Sequence, residues 1–591
     1  MTSQTKNCQN CKQSFTIEPE DFSFYESMQV PPPTWCPECR LVRRLCHMNY
    51  RYLYRDECDG CQKQILSIYS PDKPYKVYCS NCWWSDNHDS IKYGRDYDFS
   101  RPFFEQYKEL LLATPQIALI LDSPTLINSD YCNAAGHLRN CYLVFNSDFD
   151  ENCYYGENLN GNKDCVDVLN LTNSELCYES SELVKCHRVY YSQNCEGCND
   201  VYFSNNLIGC SNCVGCVGLR NGQFCIFNKQ LSETEYKQQL LTMNFGSRKF
   251  VNDFKEQAVK FWKTVPYKYL HGSKIEDVTG DYIVNAKNAK ECFHVVGAEN
   301  CKFCALTYLG IKDSYDYTCF GNNAQLIYEC ANLGQDVQNI KFSLTSYDKS
   351  FDHHYSCFCL SSNNLFGCAY LRKKQFCILN QQYSESEYRD LLPKIIEHMN
   401  AMPYVDKHGR VYRFGEFFPP EISPFGYNET LADDYFPKAL SEIEALGMTY
   451  KQPEEKNQKP TLGASELPDD IKEVGEDIVK QVIACAGDRK SCTKLYRISS
   501  PEFNFHKLNG IPLPRFCPNC RSEERKKFRN PMKLWSRECA CAGAASKNGV
   551  YRNAIGHSHG NAKCQTKFET AYAPDRPEIV YCEECYREEM I

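Results

Sequence analysis

Between residues 129 and 237 the chain repeats a short phrase in which a valine follows a cysteine by three positions and a turn-forming residue comes next: NCYLVF, DCVDVL, KCHRVY, GCNDVY. Brief β-branched and aromatic stretches divided by Asn, Gly, Ser and Asp predict short strands. The cysteines stand at 132, 141, 153, 165, 177, 186, 195, 198, 210, 213, 216 and 225, so every interval is 3, 9 or 12. Taking two units per turn predicts a coil of about 18–24 residues and a parallel β-helix, in which equivalent inward positions of successive coils stack. The interior is then a ladder of thiols beside Val144, Val168, Val189 and Val201. The same three-residue register accounts for Cys195/Cys198, Cys210/Cys213/Cys216 and Cys301/Cys304 without a zinc or iron–sulfur site.

The pattern occurs twice. LRNGQFCIFNKQLSETEY at 219–236 returns as LRKKQFCILNQQYSESEY at 371–388, and Asp130, Tyr131, Cys141 and Val144 are echoed by Asp281, Tyr282, Cys292 and Val295. In the second block the middle cysteines leave the multiple of three, which predicts loops or an irregular coil over 320–360, with Asp352, His353 and His354 on a surface turn rather than in a catalytic or metal cluster. Each marker runs into Ser-x-x-Glu and then a helical pattern, so each block is predicted to end in a capped helix covering its last coil. FVNDFKEQAVKFWKTV, 250–265, extends a helical bridge between the blocks.

Outside the repeats the pattern changes. Cys8 and Cys11 precede Cys36 and Cys39, and Cys58 and Cys61 precede Cys79 and Cys82. Two such pairs can complete a zinc tetrahedron, and four thiolates close it against water, which makes the sites structural rather than catalytic. FTIEPEDFSFYESMQVPPPTW between the first knuckles predicts a short hairpin ending in a proline turn, and RLVRRLCHMNYRYLYR after Cys39 predicts a helix with Cys46 as a buried core thiol. Trp83 and Trp84 are read as packing for a small metal domain in preference to base stacking. Through Cys8, Cys11, Phe15, Phe24, Tyr25, Cys36, Pro37, Cys39 and Arg40 this segment resembles the probable zinc-ribbon, treble-clef family, and the duplicated middle resembles a β-helix repeat protein.

The metal pattern returns at the other end. At an offset of 481, Phe503, Phe505, Pro512, Pro514, Cys517, Pro518, Cys520 and Arg521 repeat the first module, with Cys492 for Cys11 and Cys485 closing a widened knuckle. Residues 564–585 match 61–82 at an offset of 503, so a 22-residue insertion separates the first two ligands of the last site. Its ligands are Cys564, Cys582, Cys585 and, by alignment, Cys539; Cys541 is an alternative, and His557 and His559 can compete.

The resulting expectation is a mainly β chain: a double zinc module (1–95), a helical connector (96–128), block one with its capping helix (129–237), a helical bridge (238–279), block two with its capping helix (280–400), a Pro- and acid-rich connector (401–480) with a flexible linker at 450–470, and a second double zinc module (481–591). With 39 cysteines, no apolar run of membrane-spanning length and no secretory leader at its start, the chain is expected to be cytoplasmic and to use thiols for metal and packing. About four structural Zn²⁺ ions and no small-molecule cofactor are expected. The net charge of −8 argues against a globally basic nucleic-acid coat. Arg40, Arg43 and Arg44, and again Arg521, Arg525, Lys526, Lys527 and Arg529, nevertheless form two basic helices that can contact a protein or RNA partner, the competing reading being a solvated helix paired with the acidic linker. A non-enzymatic scaffold or binding protein uses every large feature. The rival is a carbohydrate-active enzyme or carbohydrate-binding protein on the β-helix, for which Asp148/Asp150 or His187 are the candidates. No nucleophile elbow, phosphate loop or dinucleotide fingerprint is present, and no six-residue aliphatic repeat supports a hexapeptide acyltransferase.

Overall fold

A computed structural model describes residues 2–452 and 458–591. Its centre is two β-solenoid blocks, each a parallel sheet stack closed by an antiparallel terminal strand. In block one, every third residue from Ala134 to Phe227 has a left-handed φ between +45° and +70°. The residue after each such corner points inward, giving Cys141, Val144, Cys153, Cys165, Val168, Cys177 and their successors an interior position. Strands pair twelve residues apart, Tyr154 with Val166, Val166 with Tyr178 and Cys213 with Cys225. One coil is therefore twelve residues in four short sides, not the 18–24 expected from pairing cysteine units. The reason is the corner at every third residue, which turns the chain before a longer strand can form.

The buried thiols pack and donate to carbonyls, Cys165 Sγ lying 3.2 Å from Lys163 O and 3.6 Å from Ser174 O. Corner asparagines tie neighbouring coils: Asn128 donates to Asn140 (3.1 Å), Asn140 to Asn152 (3.0 Å) and Asn152 to Asp164 (2.8 Å). Asparagine suits these corners because it tolerates a left-handed backbone and its amide both donates and accepts.

Block two keeps the plan where irregularity was expected. Its coils begin at twelve residues (Lys287 with Glu299), widen to thirteen (Tyr315 with Tyr328, Ile340 with His353) and return to twelve (His353 with Leu365). The added residue sits at one corner, where left-handed conformations come in consecutive pairs at 309/310, 322/323, 335/336 and 348/349. The sheet over 320–360 is thus continuous, and the cysteine spacing drifts because the coil is longer. The wider coils admit Tyr317 and His353 to the interior, both fully buried. His353 is no surface residue: its Nε2 is 2.9 Å from Ser362 O, and burial brings its imidazole down to about 4.

Each block is covered by the predicted helix, Glu233–Leu241 and Glu385–Ala401, both with complete capping boxes from Ser232/Glu235 and Ser384/Glu387. Tyr236 packs on Phe224 and Tyr388 on Phe376, the same pair in both markers. The bridge helix Arg248–Trp262 lies along block one, its Trp262 indole donating to Phe203 O at 3.1 Å. The linker expected at 450–470 falls in part on 453–457, which lie outside the described residues; from Leu462 onward the chain is packed, with Leu467, Ile471, Val474 and Ile478 in one core with Phe503 and Leu513.

Cys165→Ala is expected to lower stability by about 1–2 kcal/mol through the small cavity left inside the coil, with the metal content of the purified protein unchanged. Denaturant unfolding and metal analysis check this together; loss of an ion would show that the ladder ligates.

Candidate metal centres

Four thiolate sets arise from one local plan used four times. A hairpin supplies the first two ligands: Gln4–Asn7 with Ser14–Ile17, Tyr54–Glu57 with Gln64–Ser67, Ile483–Ala484 with Leu495–Tyr496, and Trp535–Glu538 with Lys567–Thr570. The third ligand is the N-cap of a helix: Cys36 before Pro37–Leu45, Cys79 before Ser80–Trp84, Cys517 before Pro518–Lys526 and Cys582 before Glu583–Met590. The fourth follows in the first turn, where the helix dipole and free N–H groups favour a thiolate. The expected hairpin over residues 15–35 is instead strand Ser14–Ile17 followed by helix Pro19–Ser27, because Pro19 and the Glu18/Asp21 capping box start a helix before the alternating pattern can pair.

The sets Cys8/Cys11/Cys36/Cys39, Cys58/Cys61/Cys79/Cys82, Cys485/Cys492/Cys517/Cys520 and Cys539/Cys564/Cys582/Cys585 each bring their sulfurs within 4.8 Å of one another. Individual Sγ–Sγ distances of 3.8 Å (Cys11–Cys36, Cys61–Cys79) and 3.9 Å (Cys485–Cys520, Cys564–Cys582) suit a tetrahedral ion, whose edge is about 3.8 Å for zinc–sulfur bonds of about 2.3 Å. Backbone N–H groups point at the sulfurs, Cys79 N on Cys58 at 3.2 Å, Cys517 N on Cys485 at 3.1 Å and Cys582 N on Cys539 at 3.2 Å. Burial alone would raise the Cys58 thiol, but the N–H groups of Cys79, Gly60 and Cys61 outweigh it and lower it. The widened Cys485–Cys492 knuckle brings both sulfurs into one group with Cys517 and Cys520. At the last site Cys539 joins the tetrad, whereas Cys541 faces His557 Nδ1 (3.2 Å) and His559 Nε2 (3.4 Å).

The basic helices do not face solvent. Helix Pro37–Leu45 lies on block two: Arg40 and Arg44 share Asp316 at 2.8 and 3.0 Å, and Arg43 bridges Glu329 and Glu416 at 3.0 Å each. Helix Pro518–Lys526 lies on block one: Arg521 and Arg525 share Asp167 at 2.5 and 2.8 Å, and Arg521 also meets Glu502 at 2.9 Å. Both aspartates occupy left-handed solenoid corners, and these five arginines are buried. Lys526 reaches Glu157 (3.1 Å) and Asp434 (2.8 Å), Lys527 pairs with Glu524 (3.0 Å), and Arg529 lies over the Tyr435 ring and donates to Asp434 O. Six of the eight expected contact cations, Arg40, Arg43, Arg44, Arg521, Arg525 and Lys526, thus meet carboxylates far away in the chain, chiefly on the solenoid, whereas Lys527 is exposed beside Glu524 and Arg529 meets a ring and a carbonyl. Glu157 is the meeting point of both ends, since Arg51 also pairs with it. Burial would raise its carboxyl, but Arg51, Lys526 and Arg529 outweigh that and hold it at about 2.

Cys46 is a buried core thiol as expected. Trp83 is buried against Phe358 of block two, Trp84 is half exposed, and Arg372 lies over both rings. Asp148 and Asp150 stand on opposite sides of the coil wall: Asp148 meets His137 outside, while Asp150 points inward onto the Asn162 amide and is raised to about 7 by burial. His187 pairs with Asn199 at the surface. The acidic partners Asp167, Asp316, Glu329 and Glu416 were not singled out by the sequence, which gives them no motif.

No known family profile matches the chain, and no curated protein matches it. Among solved structures, a protein from Desulfovibrio desulfuricans G20, provisionally named an acetyltransferase, is similar at 9% identity over 42% of this chain with a TM-score of 0.10. The chain spans 63% of that protein's length. Among the described residues no helix is long and apolar enough to cross a membrane.

Asp316→Ala, which takes the carboxylate partner from buried Arg44 and leaves buried Arg40 with Glu329 at 3.4 Å, is expected to cost about 3–5 kcal/mol in denaturant unfolding, and replacing Arg40 and Arg44 by Met in the same chain to recover part of it. A cost below about 1 kcal/mol would assign these pairs the weak energetics of surface salt bridges.

Proposed function

We propose that this is a non-enzymatic, zinc-stapled scaffold protein in which the terminal modules are internal clamps that hold two solenoid blocks together and present their outer walls to a protein partner. The observation that carries this is the commitment of every cation of the two knuckle helices to carboxylates of the chain, most of them on the solenoid. A nucleic-acid surface needs uncommitted Lys and Arg to displace counterions from phosphates. Zinc is the ion this reading assigns, because four thiolates in a closed tetrahedron suit a structural Zn²⁺. The knuckle-plus-capped-helix plan supports the similarity to zinc-ribbon, treble-clef domains. Residence in a reducing cytoplasm belongs to the same reading, since the interior depends on free thiols.

Strong chelation is expected to free helices Pro37–Leu45 and Pro518–Lys526 while the coils persist: hydrogen exchange should accelerate across both helices and remain slow over 141–226. Exchange in the helices that is indifferent to chelation would remove the clamp role. In a filter-binding assay over a range of salt concentrations, little salt-dependent retention of RNA is expected; strong retention with a steep salt slope would replace the protein partner by RNA.

A further inference from the structure

The insertion in the last module carries more ligands than one ion can use. Beside Cys539/Cys564/Cys582/Cys585, a second set, Cys541/His557/His559/Cys585, also brings its ligand atoms within 4.8 Å, and Cys585 belongs to both. We propose that the C-terminal module holds two zinc ions bridged by the Cys585 thiolate, the second bound by Cys541 Sγ, His557 Nδ1 and His559 Nε2. The proposal rests on the terminal tetrads holding zinc and adds an ion to them.

The two imidazoles are arranged as ligands. His557 Nε2 lies 3.1 Å from the Glu589 carboxylate, itself fully buried, so this nitrogen carries the proton and the Nδ1 lone pair is left facing Cys541 at 3.2 Å. His559 Nδ1 lies 2.8 Å from Ala562 O, an acceptor, which leaves the Nε2 lone pair between Cys541 (3.4 Å) and Cys585 (3.3 Å). A carboxylate or carbonyl on the far nitrogen fixes the tautomer and orientation of a metal-bound histidine. Here both histidines have one, and both free lone pairs converge with two sulfurs.

The duplication supplies an internal control. Cys585 corresponds to Cys82 of the N-terminal module, and the three unshared ligands have no counterpart there: Cys541 stands two residues after Cys539 where Gly60 follows Cys58, and His557 and His559 lie in the insertion. The insertion is also anchored for the purpose, Glu589 accepting from Tyr551 Oη at 2.7 Å and Ala554 N at 2.6 Å as well as from His557. Five thiolates, two neutral imidazoles and two Zn²⁺ leave a net charge of −1, against −2 for a lone tetrathiolate ion with the Cys541 thiolate still to accommodate. Both ions have four protein ligands and no open position, so the pair fastens the insertion to the final helix and offers no site for an activated water.

The test is zinc per chain in the full-length protein and in a His557→Ala/His559→Ala variant, together with ¹¹³Cd-exchanged protein examined for ¹H–¹¹³Cd correlations. The expectation is five ions in the wild type, four tetrads plus one, and four in the variant with its far-ultraviolet circular dichroism unchanged. The Cys585 β-protons should correlate with two cadmium resonances in the wild type and with one in the variant. Four ions in both proteins would overturn the second ion and leave the four-tetrad reading standing. Five in both would overturn the ligand assignment, a single cadmium partner for Cys585 would overturn the bridge, and two or fewer in the wild type would sink the module reading itself.

Discussion

A coil that turns a left-handed corner every three residues encloses only four inward side chains per turn, and this narrowness governs the rest of the molecule. Such an interior is filled mainly by Cys, Val, Ser, Ala, Leu and Ile, with the Asp150–Asn162 pair as a polar inclusion, and it takes Tyr317 or His353 only where the coil lengthens to thirteen residues. Cysteine suits it as a small, polarizable side chain that can also donate weakly to the carbonyl rows lining the coil. Because so little apolar surface fits inside, much of the hydrophobic mass lies on the outer wall. Tyr155, Tyr178, Phe203, Tyr315 and Tyr328 have to be covered by something else.

The cover is the role of the helices and metal modules. Each knuckle helix meets one face of a block, the N-terminal one on block two and the C-terminal one on block one, so the chain crosses over itself and its two ends meet at Glu157. Modules this small build little core of their own, so under the proposed reading metal-coupled folding would supply the difference. The dependence runs in sequence: thiolates set the helix start, the helix start aims two arginines, and the arginines find one aspartate at a solenoid corner. Buried pairs of this kind add little net stability but penalise mispairing heavily. That property would keep two homologous modules on their proper blocks.

The duplicated halves have diverged where local geometry allowed it. Block two absorbed an extra residue per coil by doubling one corner, at four successive turns, without breaking the sheet. The last module absorbed a much longer insertion between its first two ligands, and the hairpin Trp535–Glu538 with Lys567–Thr570 still closes across it. In both cases the change sits at a turn and the register on either side is kept.

The sequence by itself determined what depends on spacing along the chain: the duplication, the four cysteine tetrads, the buried thiol ladder and the capping boxes that end each block. These signals are local, since a knuckle, a cap or an inward phase is written within a dozen residues. The tertiary structure alone decided the length of the coil, the direction of the basic helices and the placing of Cys541 beside His557 and His559. Left-handed corners at Leu143, Tyr155 or Phe203 leave no compositional mark, because the fold rather than residue preference holds them there. Arg40 and Arg521 look like phosphate ligands in sequence because their neutralising partners, Asp316 and Asp167, lie 276 and 354 residues away and are brought alongside only when the solenoid has formed.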